Sequence, residues 1–492
     1  MFKFAMTLVA VSVLTACGVA PLGPNYQRPV LEVPASLAAP SGAGTTVSNS
    51  GNVSSVGNAD WLTWWKSFQD PVLDALLQEA SANSQDLALA SARIAEARAT
   101  LNQNAANFYP SVDLNAGVTR RETSQNASTF SPVLGPYSND RQIGLTASYE
   151  IDFWGKYARA DEAARARMLA QSASRGTVLT TLYANVAQNY FALRALDAQV
   201  TLNEQTFATR TENLRLQKRR FEGGVVGEID LRQAESEAAS VEATLQTVRQ
   251  SRSNAESALA LLLGRTPTAI ANPVIARGAD MAALYASPSV PANLSSDLLN
   301  NRPDVVSAEQ NLIAANADIG QARAAYFPKF SLTAGLGQQS QRLSTLFDPA
   351  SMFWNLIGNL TQPIFRAGAI DAVVAAANAR QQQAVAQYTQ AVQSAFRDVH
   401  DALNNVAVGR DITTTTTKRI DALRSTLRLA DLRYKNGYSN YLEVLNAQRD
   451  LSQAESGLID TQRGQLNAVV SLYKALGGGW SSDALAVAQS GK

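Results

Sequence analysis

The sequence predicts a mainly α chain that carries four strands as its share of a transmembrane β-barrel, arranged as an internal two-fold structural repeat. Three observations predict it. The first is a duplication: Leu214–Gly224 reappears as Leu427–Gly437, 213 positions later, and the offset holds to Leu263-Gly264 and Leu476-Gly477. Upstream, Phe108–Gly117 matches Tyr326–Gly335 at an offset of 218, and a longer loop in the first copy would account for the five-residue difference. This period is far longer than the 20 to 50 residues of a solenoid repeat. The second is a set of long stretches without Gly or Pro, and the third is four segments alternating with period two.

The helices come first. Between 72 and 109 there is neither Gly nor Pro, from 156 to 222 only Gly176 interrupts, and from 228 to 263 nothing does. The composition is rich in Ala, Leu, Gln, Glu and Arg, all good helix formers. The second copy predicts helices at about 303–325, 369–435 and 441–476. A 67-residue helix is ~100 Å long, so such helices must lie against one another. The seam is legible as steps of three and four through Leu231, Ala234, Ala238, Val241, Leu245, Val248, Ala255, Leu259 and Leu262, with Arg252 in the polar slot. It repeats as Val444, Ala447, Leu451, Ala454, Leu458, Thr461, Ala468, Leu472 and Ala475, with Gln465 in that slot. This is a heptad pattern whose Ala knobs permit close approach. The β-branched run Thr413–Thr417 weakens a helix locally, but its flanks keep register and continuity is expected. Trp61, Trp64, Trp65 and Phe68 are expected to pack on a helical surface, and Asp70-Pro71 to open a helix.

The strands follow. Val112, Leu114, Ala116 and Val118 alternate with small or polar residues, as do Ile143, Leu145, Ala147, Tyr149 and Ile151, and Phe330, Leu332, Ala334 and Leu336. The fourth segment, Trp354 to Ile364, is less regular. About ten residues of period two is the signature of a membrane barrel strand. Polar loops are expected near 121–140 and 338–352, with aromatics such as Phe108, Tyr109, Phe153, Trp154 and Phe327 bracketing the strands. The smallest membrane barrels have eight strands, so four cannot close, and three chains would pool twelve.

At the N-terminus, residues 1–16 read as an export signal, and Leu14-Thr15-Ala16-Cys17 resembles a bacterial lipoprotein box. The expected lipidation site is therefore Cys17, and this covalent lipid is the only attached group expected. As the sole cysteine it excludes an intramolecular disulfide. Loss of Lys3 with the signal leaves 41 basic against 41 acidic residues, which gives no footprint for nucleic acid. After Cys17 no uncharged apolar run is long enough to span a bilayer as a helix. Residues 17–60, rich in Pro, Gly, Ser and Asn, read as a lipidated tether. The chain then divides into an equatorial and helical segment at 61–109, a barrel hairpin at 110–152, a long helical hairpin at 153–268 and a linker at 269–300. In the second copy come a helix at 301–327, a barrel hairpin at 328–365, a helical hairpin at 366–480 and a tail at 481–492.

These residues resemble the TolC/OprM family of outer-membrane efflux ducts, in its lipoprotein branch. The resemblance covers nearly the whole mature chain. It rests on the lipobox, Trp64-Trp65 through Asp70-Pro71, Ala97-Arg98-Ala99, Tyr109-Pro110, Asp152-Phe153-Trp154-Gly155, Asn301-Arg302-Pro303-Asp304, Phe327-Pro328, Tyr441 through Arg449, and Tyr473 through Trp480. It implies a homotrimer with a 12-stranded outer-membrane barrel, a mixed equatorial region and a long α-helical barrel reaching into the periplasm. Export would be passive, powered by an inner-membrane pump of RND type through a periplasmic adaptor.

The expected gate lies at the tips of the two helical hairpins. Leu442, Asn446 and Arg449 fall on one stripe, with Glu443 one residue aside. By similarity to the family, Leu442 and Asn446 would form constrictions, three copies each. Many relatives carry Asp at the latter position, so a cation-binding ring there is weakened. Glu443 is expected near Asp230 of the other hairpin, though both also suit a helix N-terminus. Arg220, Phe221, Arg433 and Tyr434 would hold the hairpins closed or meet the adaptor. Val225-Val226-Gly227, beside Gly223, Gly224 and the matching Gly437, looks like an adaptor-contact loop.

An enzyme is not expected. His400, the sole histidine, has neither a metal-ligand set nor a nucleophile beside it, and no Gly-rich phosphate loop precedes a helix. Two alternatives stay open: a duct of a type I protein secretion system, and a non-conducting coiled-coil envelope lipoprotein. The second leaves the four strands unexplained.

Overall fold

The computed structural model describes residues 21–34, 36–38, 61–128, 130–133, 135–286, 293–295 and 301–481. The export signal, Cys17, most of the tether and the final tail lie outside them. The chain falls into two compact units. The first gathers residues up to Val30, Arg93–Gln171 and Ala308–Tyr388; the second gathers Leu31–Ala92, Ser172–Ser307 and the chain from Thr389 on.

In chain order the helices are α1 (Pro71–Asn83), α2 (Gln85–Ala106), α3 (Lys156–Glu222), α4 (Glu228–Leu262), α5 (Pro267–Ala271), α6 (Met281–Ala286), α7 (Pro303–Arg323), α8 (Ala369–Lys435) and α9 (Tyr441–Ala475). The strands are β1 (Ser36–Ala38), β2 (Ser111–Glu122), β3 (Tyr137–Ile151), β4 (Asn293–Ser295), β5 (Lys329–Ser340) and β6 (Met352–Thr361). The helices α3, α4, α8 and α9 start and stop where the sequence places them to within a residue. But 72–109 is not one helix: it breaks at Ser84, whose extended backbone ends α1 and whose hydroxyl accepts from Leu87 N at 3.4 Å to open α2. The threonine run does not break α8, since Thr413, Thr414, Thr415 and Thr417 each donate to the carbonyl four residues back.

The first unit contains the antiparallel sheet β2-β3-β5-β6. Its register lines up the alternation of all four strands. Val112, Ala147, Ala334 and Leu356 form one row, and Leu114, Leu145, Leu336 and Trp354 the next. This face is exposed, with Leu114 69%, Leu356 69% and Trp354 74% accessible. The opposite face is small and polar apart from Phe353 and Ile357 of β6: Asn115 Nδ2 donates to Thr146 Oγ1 at 3.1 Å, and a Cβ on Gly335 would fall 2.3 Å from Asn355 Oδ1. Pairing also outruns the apolar pattern, because Arg120–Glu122 still pair with Tyr137–Asn139. The loops are therefore shorter than expected, at 123–136 and 341–351. A longer first loop explains only part of the five-residue offset. Its loop is three residues longer than the second copy's, β3 is five longer than β6, and the exit into the long helix is three shorter.

Below the sheet, Ala163 and Ala166 of α3 pack on Ala314 and Ala317 of α7. Residues 21–28, expected as bare tether, are held here. Buried Arg159 donates to the carbonyls of Leu22 (3.0 Å), Pro21 (3.3 Å) and Gly23 (3.4 Å) and to Asn25 Oδ1 (2.9 Å). Tyr26 and Arg28 both donate to Glu309. Gly23, in the stretch read as slack tether, serves close approach instead: a Cβ on it would fall 2.6 Å from the Cα of Gly320 in α7, and one on Gly320 would fall 2.3 Å from the Leu22 carbonyl. In the motif 152–155, Asp152 caps α3 by accepting from Tyr157 N (3.0 Å) and Ala158 N (2.9 Å). Trp154 Nε1 donates to the Pro328 carbonyl at 2.8 Å.

In the second unit, the tryptophans pack as expected. Trp64 stacks on Tyr473 with centroids 5.4 Å apart, and Trp65 meets Tyr183 edge-on. Asp70 caps α1 through Val72 N at 2.9 Å and, fully buried, also accepts from Tyr190 Oη (2.6 Å) and Ala279 N (3.1 Å). Gly176, the one interruption in α3, leaves room for Trp480, whose Nε1 would lie 2.5 Å from a Cβ there. Arg302 reaches the Ala475 carbonyl (2.9 Å), Asp304 (2.7 Å) and Asp398 (3.2 Å), tying α7, α8 and α9 together. Along α4 and α9 the heptad seams are buried or half-buried throughout. The polar slot at Gln465 is buried too, its Nε2 donating to the Val406 carbonyl at 3.2 Å.

Candidate functional site at the hairpin turns

Both long hairpins turn by the same device. At the end of α3, Gly224 N bonds to the Phe221 carbonyl and Val225 N to that of Arg220, at 2.9 and 2.8 Å. At the end of α8, Gly437 N bonds to the Tyr434 carbonyl and Tyr438 N to that of Arg433, at 3.0 and 2.9 Å. The glycines take φ of +68° and +75°, the left-handed geometry that ends helices and that only glycine adopts freely. The restarts differ. Asn440 accepts from Glu443 N at 3.2 Å, whereas Gly227 offers α4 no side-chain cap.

Beyond the second turn, Tyr441, Val444, Leu445 and Ala447 are buried in the seam, while Leu442, Asn446 and Arg449 are exposed. Val444 and Ala447 pack with Ala430, flanked by Leu427 and Tyr434. The stripe read from spacing thus forms one outer face of α9. Glu443 is half-buried, with Arg433 Nη1 3.7 Å from its Oε1. Asp230 lies in the first turn of α4, its N–H on the Gly227 carbonyl at 3.2 Å. Val225 is exposed, and Val226 is half-buried.

Tyr434 joins the hairpins. Its hydroxyl accepts from Arg220 Nη1 at 2.8 Å and from Gln217 Nε2 at 3.1 Å, and the Arg220 guanidinium lies 5.1 Å from its ring centre. Phe221, the matching residue of the first copy, has no hydroxyl for such a bond. A second junction lies further along. Glu237 of α4 is 3.5 Å from Arg210 Nε of α3, and both are about 5% exposed. Glu237 also accepts from Arg449 Nε of α9 at 2.7 Å, and Arg210 donates to Gln448. Arg449, expected only as part of the stripe, therefore reaches across to the other hairpin. Burial pulls the Arg210 guanidinium below its ordinary pKa while Glu237 opposes that shift. Burial likewise raises the Tyr441 phenol. Sequence reading missed Arg210, Gln217, Glu237 and Gln448. The one available signal was a carboxylate at 237 between the seam residues Ala234 and Ala238.

An antiparallel sheet with an exposed apolar face, joined to paired 67-residue helices, defines a channel-forming outer-membrane protein. The chain belongs to the outer membrane efflux protein family, whose model matches residues 76–265 and 294–478. It is 33% identical over 481 residues to the probable outer membrane lipoprotein SilC of Salmonella typhimurium, covering 98% of this chain and 100% of that one. It is 34% identical over 470 residues to the cation efflux system protein CusC of Escherichia coli K12, covering 95% and 97%. Among solved structures, the Campylobacter jejuni CmeC outer membrane channel superposes with a TM-score of 0.84 at 26% identity, covering 94% and 96%. The open state of the Neisseria gonorrhoeae MtrE channel gives 0.79 at 32%, covering 94% and 98%. The protein is an outer-membrane efflux channel and works within an efflux system.

Proposed function

We propose that three copies close one twelve-stranded barrel and that the duct is gated by the second hairpin, conducting passively for an inner-membrane pump of RND type through a periplasmic adaptor. The observation that carries a barrel shared between copies is the sheet itself. Among the described residues β2 and β6 each pair on one side only. An unpaired backbone edge in lipid costs several kcal/mol per group, so β6 of one copy must meet β2 of the next. Leu442 and Asn446 form the constriction, because they stand exposed on a helix whose neighbouring Tyr441, Leu445 and Ala447 are buried. Glu443 adds one carboxylate per chain beside them. The Tyr434 and Glu237 junctions hold each chain's hairpins together in the resting state, and the turn residues 223–227 meet the adaptor. Cys17 carries the lipid, and no other bound group is required. Relatives are named for cation, toluene and pyoverdine export. We therefore assign cargo selection to the pump and small molecules to the duct.

The test is planar-bilayer conductance of the purified protein with its mass measured in parallel. A trimer with small conductance that rises in Leu442→Ala/Asn446→Ala, together with vancomycin entry in cells making normal amounts of trimer, supports the gate. Unchanged conductance and vancomycin resistance in that variant would remove it.

A further inference from the structure

The apolar face of the sheet ends abruptly, and what stands at its end is cationic. On that face, the register runs upward from Ile151 and Phe330 through Tyr149 and Leu332, Ala147 and Ala334, Leu145 and Leu336, to Ile143 opposite Ala116. The next row pairs Val118 with Arg141, and the one above pairs Arg120 with Asn139. Ten residues separate Ile151 from Arg141, which is ~34 Å of strand and ~26 Å along the normal at a ~40° tilt. An outer-membrane barrel shows an apolar band ~25 Å tall. Arg141 therefore stands at the band's rim, with Arg120 one row beyond.

Arg120 and Arg141 are diagonal neighbours on adjacent strands, ~7–8 Å apart, close enough for both guanidinium groups to reach one phosphate. Their partners are neutral. The Arg120 guanidinium lies 5.7 Å from the centre of the Tyr137 ring, and Arg141 Nη1 donates to the Gln341 carbonyl. Neither forms an ion pair among the described residues. Exposed Arg342 follows β5 beside them. The acidic groups nearby are Glu122, two residues further along this face, Asp140 on the opposite face, bonded to Gln339 Nε2 at 2.9 Å, and Asp348 in the 341–351 loop. The other ends of the strands run into α2, α3, α7 and α8 of the same unit, so this rim faces away from the helices, toward the cell exterior.

We propose that Arg120 and Arg141, with Tyr137, form a binding site for a phosphorylated lipid headgroup in the outer leaflet. Guanidinium is suited to it by its bidentate fork for phosphate oxygens. The inference rests on the apolar face meeting lipid. It would fail separately from that reading if the channel inserts and conducts yet shows no headgroup preference.

The probe is diphosphorylated lipid A in phosphatidylcholine nanodiscs, against the same glycolipid with its phosphates removed, with lipids retained per channel counted by native mass spectrometry. The wild type should retain the phosphorylated form about tenfold better. Arg120→Gln/Arg141→Gln should lose that preference, whereas Arg121→Gln, on the opposite face, should keep it. Equal retention of the two glycolipids by the wild type overturns the proposal and needs no variant. So does an equal loss in Arg121→Gln, or complete displacement of lipid A by millimolar inorganic phosphate, which would mark a site for free anions instead.

Discussion

The two helical hairpins are built to one plan and used differently. Position for position at the 213-residue offset, Gly224 matches Gly437, the seams match, and the turns carry the same hydrogen bonds. What differs is the side chains. Tyr434 and its hydroxyl stand where the first copy has Phe221, capping Asn440 where it has Gly227, and Arg449 where it has Ser236. In exchange, the first copy supplies the buried carboxylate Glu237, while its counterpart Asp450 is exposed. Duplication thus preserved the backbone solution and let each copy hold half of a junction that neither could make alone.

This contrast can be broken at several points. The largest effect is expected at Glu237→Gln, which leaves the buried Arg210 charge without its carboxylate, with only the neutral Gln448 beside it. Removing one member of a buried pair costs about 3 kcal/mol or more. Hydrogen exchange in 205–245 should accelerate strongly, whereas Asp450→Asn should leave it unchanged; equal effects would end the asymmetry. Next, Gly224→Ala and Gly437→Ala should each cost about 1–2 kcal/mol. A Cβ at either meets nothing within 4 Å, so the two thermal shifts should agree, and a marked difference would show that the turns are not equivalent. Tyr434→Phe should cost about 1 kcal/mol through the lost bonds to Arg220 and Gln217, while Phe221→Tyr should gain nothing; a double-mutant cycle with Arg220→Ala measures the coupling. Asn440→Ala should loosen the start of α9 by about 1 kcal/mol. Gly227→Asn, the smallest change, should steady α4 by a few tenths of a kcal/mol, read as slower exchange at 228–231.

The helices were legible because helix-compatible composition and the absence of breakers are local properties, and the repeat supplied each boundary twice. The strands were legible only where apolar residues alternate. Arg120, Arg121 and Glu122 still pair because a ladder needs backbone rather than hydrophobic side chains, and nothing in their own sequence says so. The stripe Leu442, Asn446 and Arg449 followed from helical spacing. The destination of Arg449 did not, since Glu237 is 212 positions away and only tertiary packing brings them together. Residues 21–28 failed in the opposite direction: Pro and Gly suggest slack chain, yet here Gly23 permits close approach to Gly320 of α7.

The equal spans of α3 and α8, and of α4 and α9, make these helices a ruler. Deleting one residue of α3 ahead of Leu214 would shorten the helix by 1.5 Å and rotate everything beyond by 100°. Leu214 and Gln217 would no longer face their neighbours, and the turn at Gly223-Gly224 would present the wrong side. Substitutions along these helices can accumulate freely on the exposed faces, but length cannot drift in one copy without unmatching it from the other. Insertions and deletions should therefore be confined to the barrel loops and strand ends, where the two copies already differ.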